Sequence, residues 1–188
     1  AVLYMDQHFL EKGLNVPKVL AVSDDSMHYV QEDLGNTLLF DYIAEGRKTG
    51  VFCEREKEML RKTMRALARF QILGAEDMDF SHCYPQPEFN LRSILWDLNY
   101  FKYYFLKLAY IPFDEQLLEK DFATFIDYLL DENCDYFMYR DFQSRNIMIE
   151  PEQRRLYYID YQGGRRGPAQ YDVASLLYSA KSDLPEPI

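Results

Sequence analysis

Between Tyr139 and Asp172 the chain gathers residues able to take up a proton and hold a cation. The run Tyr139-Arg140-Asp141-Phe142-Gln143-Ser144-Arg145-Asn146 sets an aspartate five positions ahead of an asparagine, and Ile159-Asp160 supplies a second carboxylate further on. Such a set suits transfer of a phosphoryl group from ATP. One carboxylate receives the proton of the attacking hydroxyl, and a second carboxylate and an amide hold magnesium against the phosphates. The Asp-x-x-x-x-Asn spacing alone is a weak signal in a chain with 31 acidic residues. The ordered combination is far more specific: Arg-Asp, the Asn at its offset, an apolar strand, a turn, a second apolar strand and a terminal Asp.

A hairpin must position these groups. Ile147-Met148-Ile149, the turn residues 151–155 and Leu156-Tyr157-Tyr158-Ile159 read as two strands and their connection. A hairpin whose first strand follows Asn146 and whose second ends in Asp160 brings both ends together, so the two share one cation while Asp141 faces the substrate. Downstream, Tyr171 to Ala180 reads as an apolar helix ended by Pro185 and Pro187. Upstream, residues 3–12 read as the end of a helix stopped by Gly13, and Lys18 to Val22 and Met27 to Gln31 as a hairpin around Ser23-Asp24-Asp25-Ser26. Helical spacing begins near a cap at Asn36 or Thr37. A long helix is expected from Glu54 to Leu73 on Leu60, Met64, Leu67 and Gln71 or Ile72, ended by Gly74. A second is expected on Leu91, Leu95, Leu98, Phe101, Phe105 and Leu108, and a third from Asp114 to Leu130 on Leu118, Phe122, Phe125 and Leu129.

The chain has 188 residues, 48% of them hydrophobic, enough for one sizeable core or two small lobes. A net charge of -10 and no basic stripe argue against a nucleic-acid partner. The same charge does not exclude a nucleotide, whose phosphates are met locally by magnesium and a few cations. Cys53, Cys83 and Cys134 are far apart and lack a histidine placed to complete a zinc set, so they read as free thiols in a reducing compartment. No signal peptide and no membrane-length apolar run is visible, which makes a cytoplasmic protein the expectation. The 16 tyrosines fall mostly at helical or strand spacing, as packing residues do.

The order of these motifs resembles the catalytic and metal-binding loops of the protein-kinase-like fold in its aminoglycoside and choline kinase branch. The closer resemblance is to bacterial kinases that phosphorylate the anomeric hydroxyl of N-acetylmuramate and N-acetylglucosamine. It is carried by Arg140 to Asn146, Ile159-Asp160-Tyr161-Gln162, Gly167-Pro168, Tyr171 to Leu176, and upstream by Val16-Pro17 and Glu32-Asp33-Leu34-Gly35. The resemblance implies an α+β fold in two lobes. The small lobe, residues 1–36, is truncated to a short hairpin and hinge, and a mostly helical catalytic lobe, 37–188, carries the hairpin.

The resemblance also implies that Asp141 is the general base, Asn146 and Asp160 hold Mg2+, and backbone groups of Gln31, Glu32 and Asp33 bind the adenine of ATP. Asp172 supports the catalytic loop structurally. Arg145 is a candidate phosphate or substrate contact, with a solvated or ion-paired arginine as the alternative, and Gln143 and Gln162 are candidate sugar contacts, with ordinary polar loop roles as the alternative. The implied acceptor is a small metabolite, an amino sugar first, with choline or an aminoglycoside behind it. A kinase-like binding or regulatory module that has lost transfer is the alternative of another class. Some features depart from the family. Tyr139 stands where relatives often carry a His that anchors the loop backbone. No glycine follows Asp160, and no glycine-rich phosphate loop or strand lysine precedes Gly13. The chain therefore reads as a fragment, inactive by itself, whose phosphate clamp lies outside it.

Overall fold

Met5 and Phe9 lie one helical turn apart, and the first helix, α1 (Val2–Glu11), buries both. It ends at Gly13, whose φ of +68° is the left-handed conformation glycine adopts without strain. The structure is a computed structural model that describes residues 2–150, 152, 154–179 and 184. Strands β1 (Val19–Val22) and β2 (Tyr29–Gln31) then pair antiparallel across the Ser23 to Ser26 turn, with a bulge between Val19 and Ala21. This is the expected hairpin, and Ser23 Oγ closes its turn by donating to Asp25 Oδ1 at 2.6 Å.

The next helix does not start at Asn36 or Thr37. Thr37 offers its carbonyl to the Ile149 amide at 2.8 Å, and Leu38 is extended and bridges to Met148, so α2 begins at Leu39 (Leu39–Tyr42) with no side-chain cap. A strand partner has displaced the local capping preference. Helices α3 (Ala44–Thr49) and α4 (Glu54–Leu73) follow, the second with the bounds its periodicity predicts. Leu60 and Leu67 are buried, Gln71 takes the last core position, and Ile72 is left exposed.

Helix α5 (Leu91–Phe101) continues into a π-helical turn, Lys102–Leu106, in which the Lys107 amide reaches back five residues to the Lys102 carbonyl at 3.1 Å. The widened turn rotates the downstream face. Instead of the expected stripe, Ile94, Lys102 and Leu106 are buried, and of that stripe only Leu98 is even half-buried. Lys102 is satisfied by ion pairs with Glu115 and Glu119. Tyr100, Tyr104, Phe105, Leu108 and Tyr110 are left on the surface. In α6 (Glu115–Leu130) Ile126 is the buried residue; Leu118, Phe122 and Leu129 are half-buried and Phe125 is exposed.

A strand pair that the sequence pattern did not announce comes next: β3 (Tyr136–Met138) lies antiparallel to β6 (Arg165–Gly167). Between them, β4 (Ile147–Glu150) and β5 (Arg155–Tyr158) form the expected hairpin, with Ile147 opposite Tyr158. Helix α7 (Ala169–Leu177) closes the described fold; Ala180, Pro185 and Pro187, its expected end and stop signals, lie outside the described residues. Phe9 meets Phe70, Phe137 and Tyr161 edge to face at 5.3, 5.0 and 5.2 Å, so α1, α4, β3 and the segment after β5 share one core.

Candidate active site

β3 feeds directly into the Tyr139 to Asn146 loop, and α7 fixes the loop's entry. Asp172, fully buried on α7, accepts the Tyr139 amide on Oδ2 at 2.7 Å and the Arg140 amide on Oδ1 at 2.8 Å. Those bonds hold Arg140 at a φ of +76°, a backbone state that non-glycine residues seldom adopt, and the turn leaves Asp141 exposed to solvent. Burial pushes the Asp172 carboxyl up to about 6, against the pull of its amide donors. The Arg140 guanidinium leaves the turn for Asp97 on α5, with Nη2 at 2.7 Å from Oδ1.

Asn146 ends a single 3-10 turn, Ser144–Asn146, and its amide nitrogen donates to the Asp141 carbonyl at 2.9 Å and to Asp160 Oδ2 at 3.4 Å. The backbone repeats the link, since the Ile159 amide donates to the Asn146 carbonyl at 3.0 Å. The hairpin β4–β5 thus brings Asn146 and Asp160 into contact. Asp160 sits at a φ of +66°, and Gln162 donates to its Oδ1. Gln143 does the same for Asp141, with Nε2 at 2.7 Å from Oδ1. Each glutamine therefore touches the carboxylate two residues before it. Arg145 is exposed and stacks on Phe40 of α2, 4.8 Å from the ring centroid.

Tyr139 does not leave the loop without an anchor. Its hydroxyl donates to the Ile159 carbonyl at 2.5 Å, one residue before Asp160, and burial raises its pKa well above the usual phenol range. Gln31, Glu32 and Asp33 are not in the string of bonds that joins Asp141, Asn146 and Asp160; they belong to the β1–β2 sheet and the segment after it. The Glu32 amide donates to the Lys18 carbonyl at 2.8 Å, and Asp33 Oδ1 accepts from Gly35 at 2.9 Å.

Further contacts bear on the site without a sequence signal. Asp6 on α1 accepts the Tyr161 hydroxyl at 2.9 Å and the Val19 amide at 3.4 Å, which ties β1 to the residue after Asp160; burial raises its carboxyl pKa. Arg165, buried on β6, donates to Ser93 Oγ at 2.7 Å. Between α5, α6 and α7 lies an apolar cavity of about 540 Å³, lined by Phe89, Ile94, Leu98, Leu129 and Tyr171, with Asp97 at the same wall.

Among the described residues, no group of three or more His, Cys, Asp or Glu side chains gathers around a metal position. A carboxylate and an amide oxygen are nonetheless the hard donors that magnesium takes when phosphates and waters complete its shell, so Asn146 and Asp160 fit that ion. No helix among the described residues is long and apolar enough to cross a membrane.

Comparison with known proteins bears on family and fold. The chain is similar to the N-acetylmuramate/N-acetylglucosamine kinase of Neisseria meningitidis serogroup B (strain ATCC BAA-335 / MC58), 29% identical over 182 residues that cover 94% of this chain and 50% of that protein. It therefore spans about half the length of that curated relative. Among solved structures it is similar to an aminoglycoside-3'-phosphotransferase of type VIII, with a TM-score of 0.52 and 14% identity over 97% of this chain and 67% of the other, a likeness of fold. The sequence model of the phosphotransferase enzyme family matches residues 2–188, and the chain belongs to that family.

Proposed function

We propose that this chain carries the catalytic lobe of an ATP-dependent kinase that phosphorylates a hydroxyl of a small amino sugar. The observation that carries the reading is the position of Asn146, which bonds the backbone of Asp141 and the carboxylate of Asp160 at once. Both protons of that amide are engaged, which leaves its oxygen as the atom to meet a cation. In this reading Asn146 and Asp160 hold Mg2+, which when bound neutralises charge on the phosphates of ATP. Asp141, exposed beside them, accepts the proton of the acceptor hydroxyl as it attacks, and Gln143 orients the carboxylate that does so.

The adenine edge is assigned to Gln31, Glu32 and Asp33. With the Glu32 amide turned to Lys18, ladder alternation turns the backbone groups of Gln31 and Asp33 to the opposite edge, where a base can pair with them. Residues 1–36 are then the nucleotide side of the cleft and 37–188 the catalytic side, in a cytoplasmic enzyme. The amino-sugar acceptor rests on the similarity to the meningococcal kinase.

The test is a phosphate-transfer screen of the complete gene product with ATP and N-acetylglucosamine, N-acetylmuramate, choline and an aminoglycoside. Transfer to the sugars is expected, and the Asp141→Ala protein should lose about 100-fold to 10,000-fold in turnover with its fold retained. Undiminished turnover by that variant would remove Asp141 as the base.

A further inference from the structure

Arg140 stands immediately before Asp141 and is held at both ends by different elements. Its amide is bonded to Asp172 of α7, and its guanidinium reaches Asp97 of α5, with Nη2 at 2.7 Å from Oδ1. Among the described residues Asp97 is the one carboxylate that pairs with it. A residue held at a φ of +76° tends to fall back to the ordinary backbone regions, and a bond from its side chain to a neighbouring helix opposes that relaxation. Among the described residues Gln143 is the one partner of the exposed Asp141 side chain, and it belongs to the same loop, so that bond moves with the loop. The direction of Asp141 is therefore set by the backbone around Arg140.

Asp97 can brace Arg140 only if α5 is itself fixed against the loop. The Phe89 amide donates to the Arg166 carbonyl at 2.7 Å and the Arg166 amide to the Pro87 carbonyl at 3.0 Å, so residues 87–89 run beside β6, the partner of β3. Arg165 of β6 donates to Ser93 Oγ in the first turn of α5, and Phe89 and Ile94 share a buried cluster with Met138, the last residue of β3. The contacts close a ring that runs from β3 to Arg140, across to Asp97, back along α5 to β6, and from β6 to β3. Stability is not what the ion pair adds to that ring. Its side chains are 26% and 40% exposed, and a pair so open to water contributes little to folding, because solvent screens it and two side chains must be ordered. Rate is more sensitive, since a reacting group displaced by about 1 Å can cost on the order of 100-fold.

We propose that Asp97 is a positioning residue that sets the direction of Asp141 through Arg140, an inference that rests on the reading of Asp141 as the base and deepens it. The charge-assisted bond from Arg140 closes the ring at the residue next to the base, so either partner's loss frees the turn in the same way. Neither side chain needs to touch a substrate for this, and the effect falls on turnover rather than on binding.

The experiment follows phosphate transfer by the complete gene product to the acceptor it turns over best. It measures kcat, the KM values for ATP and acceptor, and the melting temperature of the wild type, Asp97→Ala, Arg140→Gln and the double variant. Asp97→Ala puts the best helix former inside α5, so the helix is kept. Each single variant should lower kcat about 10-fold to 100-fold, with both KM values within about threefold of the wild type and the melting temperature within about 3 °C. The double variant should be no slower than the slower single one, since both changes open the same link. Losses that multiply in the double variant, a kcat for Asp97→Ala within about twofold of the wild type, or a raised KM with kcat kept would overturn the inference. A melting temperature lowered by more than about 10 °C would assign the pair to the fold and overturn it as well. Asp141→Ala, run in parallel, separates this inference from the reading beneath it. Full turnover in that variant removes the base and this inference with it, whereas its loss beside an unimpaired Asp97→Ala removes this inference alone. A wild type that phosphorylates no acceptor in the screen removes both.

Discussion

Asp172 has no exposed surface and yet accepts two backbone amides, and these two conditions pull its titration in opposite directions. Burial wins, and the carboxyl rises to about 6 from an ordinary 3.8. The folded chain therefore holds a proton between about pH 4 and pH 6 that the unfolded chain has released. This group's contribution to stability is full below about pH 4 and is lost as pH rises through 6, on the order of 3 kcal/mol over the window. Asp172→Asn cannot titrate, so urea unfolding at pH 5, 6 and 7 should show the wild type losing stability relative to the variant as pH rises. Parallel profiles would mean that Asp172 does not carry the titration. At this scale the meeting of Asn146 with Asp160 was legible, because a hairpin of known ends fixes where its termini fall. The partners of Asp6, Asp97 and Arg165 were not. They lie 155, 43 and 72 positions away, and no local pattern encodes contacts of that span.

Elements with strong periodicity were read from the sequence almost residue for residue, and α4 is the clearest, since 20 residues of one apolar stripe outweigh any single misfit. Short elements were lost. β3 and β6 have three residues each and pair across the whole β4–β5 hairpin, so nothing near either strand marks it. The expected α5 stripe failed on both sides of the π turn: Leu91, Leu95 and Phe101 ahead of it are exposed while Ile94 is buried, and the extra residue of the turn shifts only the faces downstream of it. Phe70 shows why α4 matters to the site. Its buried ring meets Phe9 at 5.3 Å, Tyr139 at 5.8 Å and Tyr158 at 5.0 Å, joining α4 to α1, the Tyr139 to Asn146 loop and β5. Phe70→Ala should cost about 3–5 kcal/mol in chemical denaturation. A loss below 1 kcal/mol would show that the core closes without it.

At the scale of the whole molecule, the segment from α1 to the β1–β2 hairpin is fastened to β5 and the residues after it by several independent contacts. Asn15 donates to the Leu156 carbonyl at 3.1 Å, the Tyr158 amide donates to the Asn15 carbonyl at 2.9 Å, and Asp6 meets Tyr161. In the proposed cleft these bonds would hold the nucleotide side against the metal side, which suits a reaction that depends on positioning more than on covalent help. The exposed aromatic surface around the π turn has a consequence of another kind. Tyr100, Tyr104, Phe105, Leu108 and Tyr110 are exposed on a chain whose net charge of -10 makes copies of it repel one another. Near the isoelectric point of about 4.8 that repulsion vanishes while the aromatic surface stays. Light scattering of the chain should rise steeply as pH is lowered toward that value, with the far-ultraviolet dichroism still native. A Tyr104→Lys, Leu108→Lys variant should stay clear under the same titration. The exposed aromatic surface around this turn thus ties the expected solubility of the chain to its charge rather than to the stability of its core.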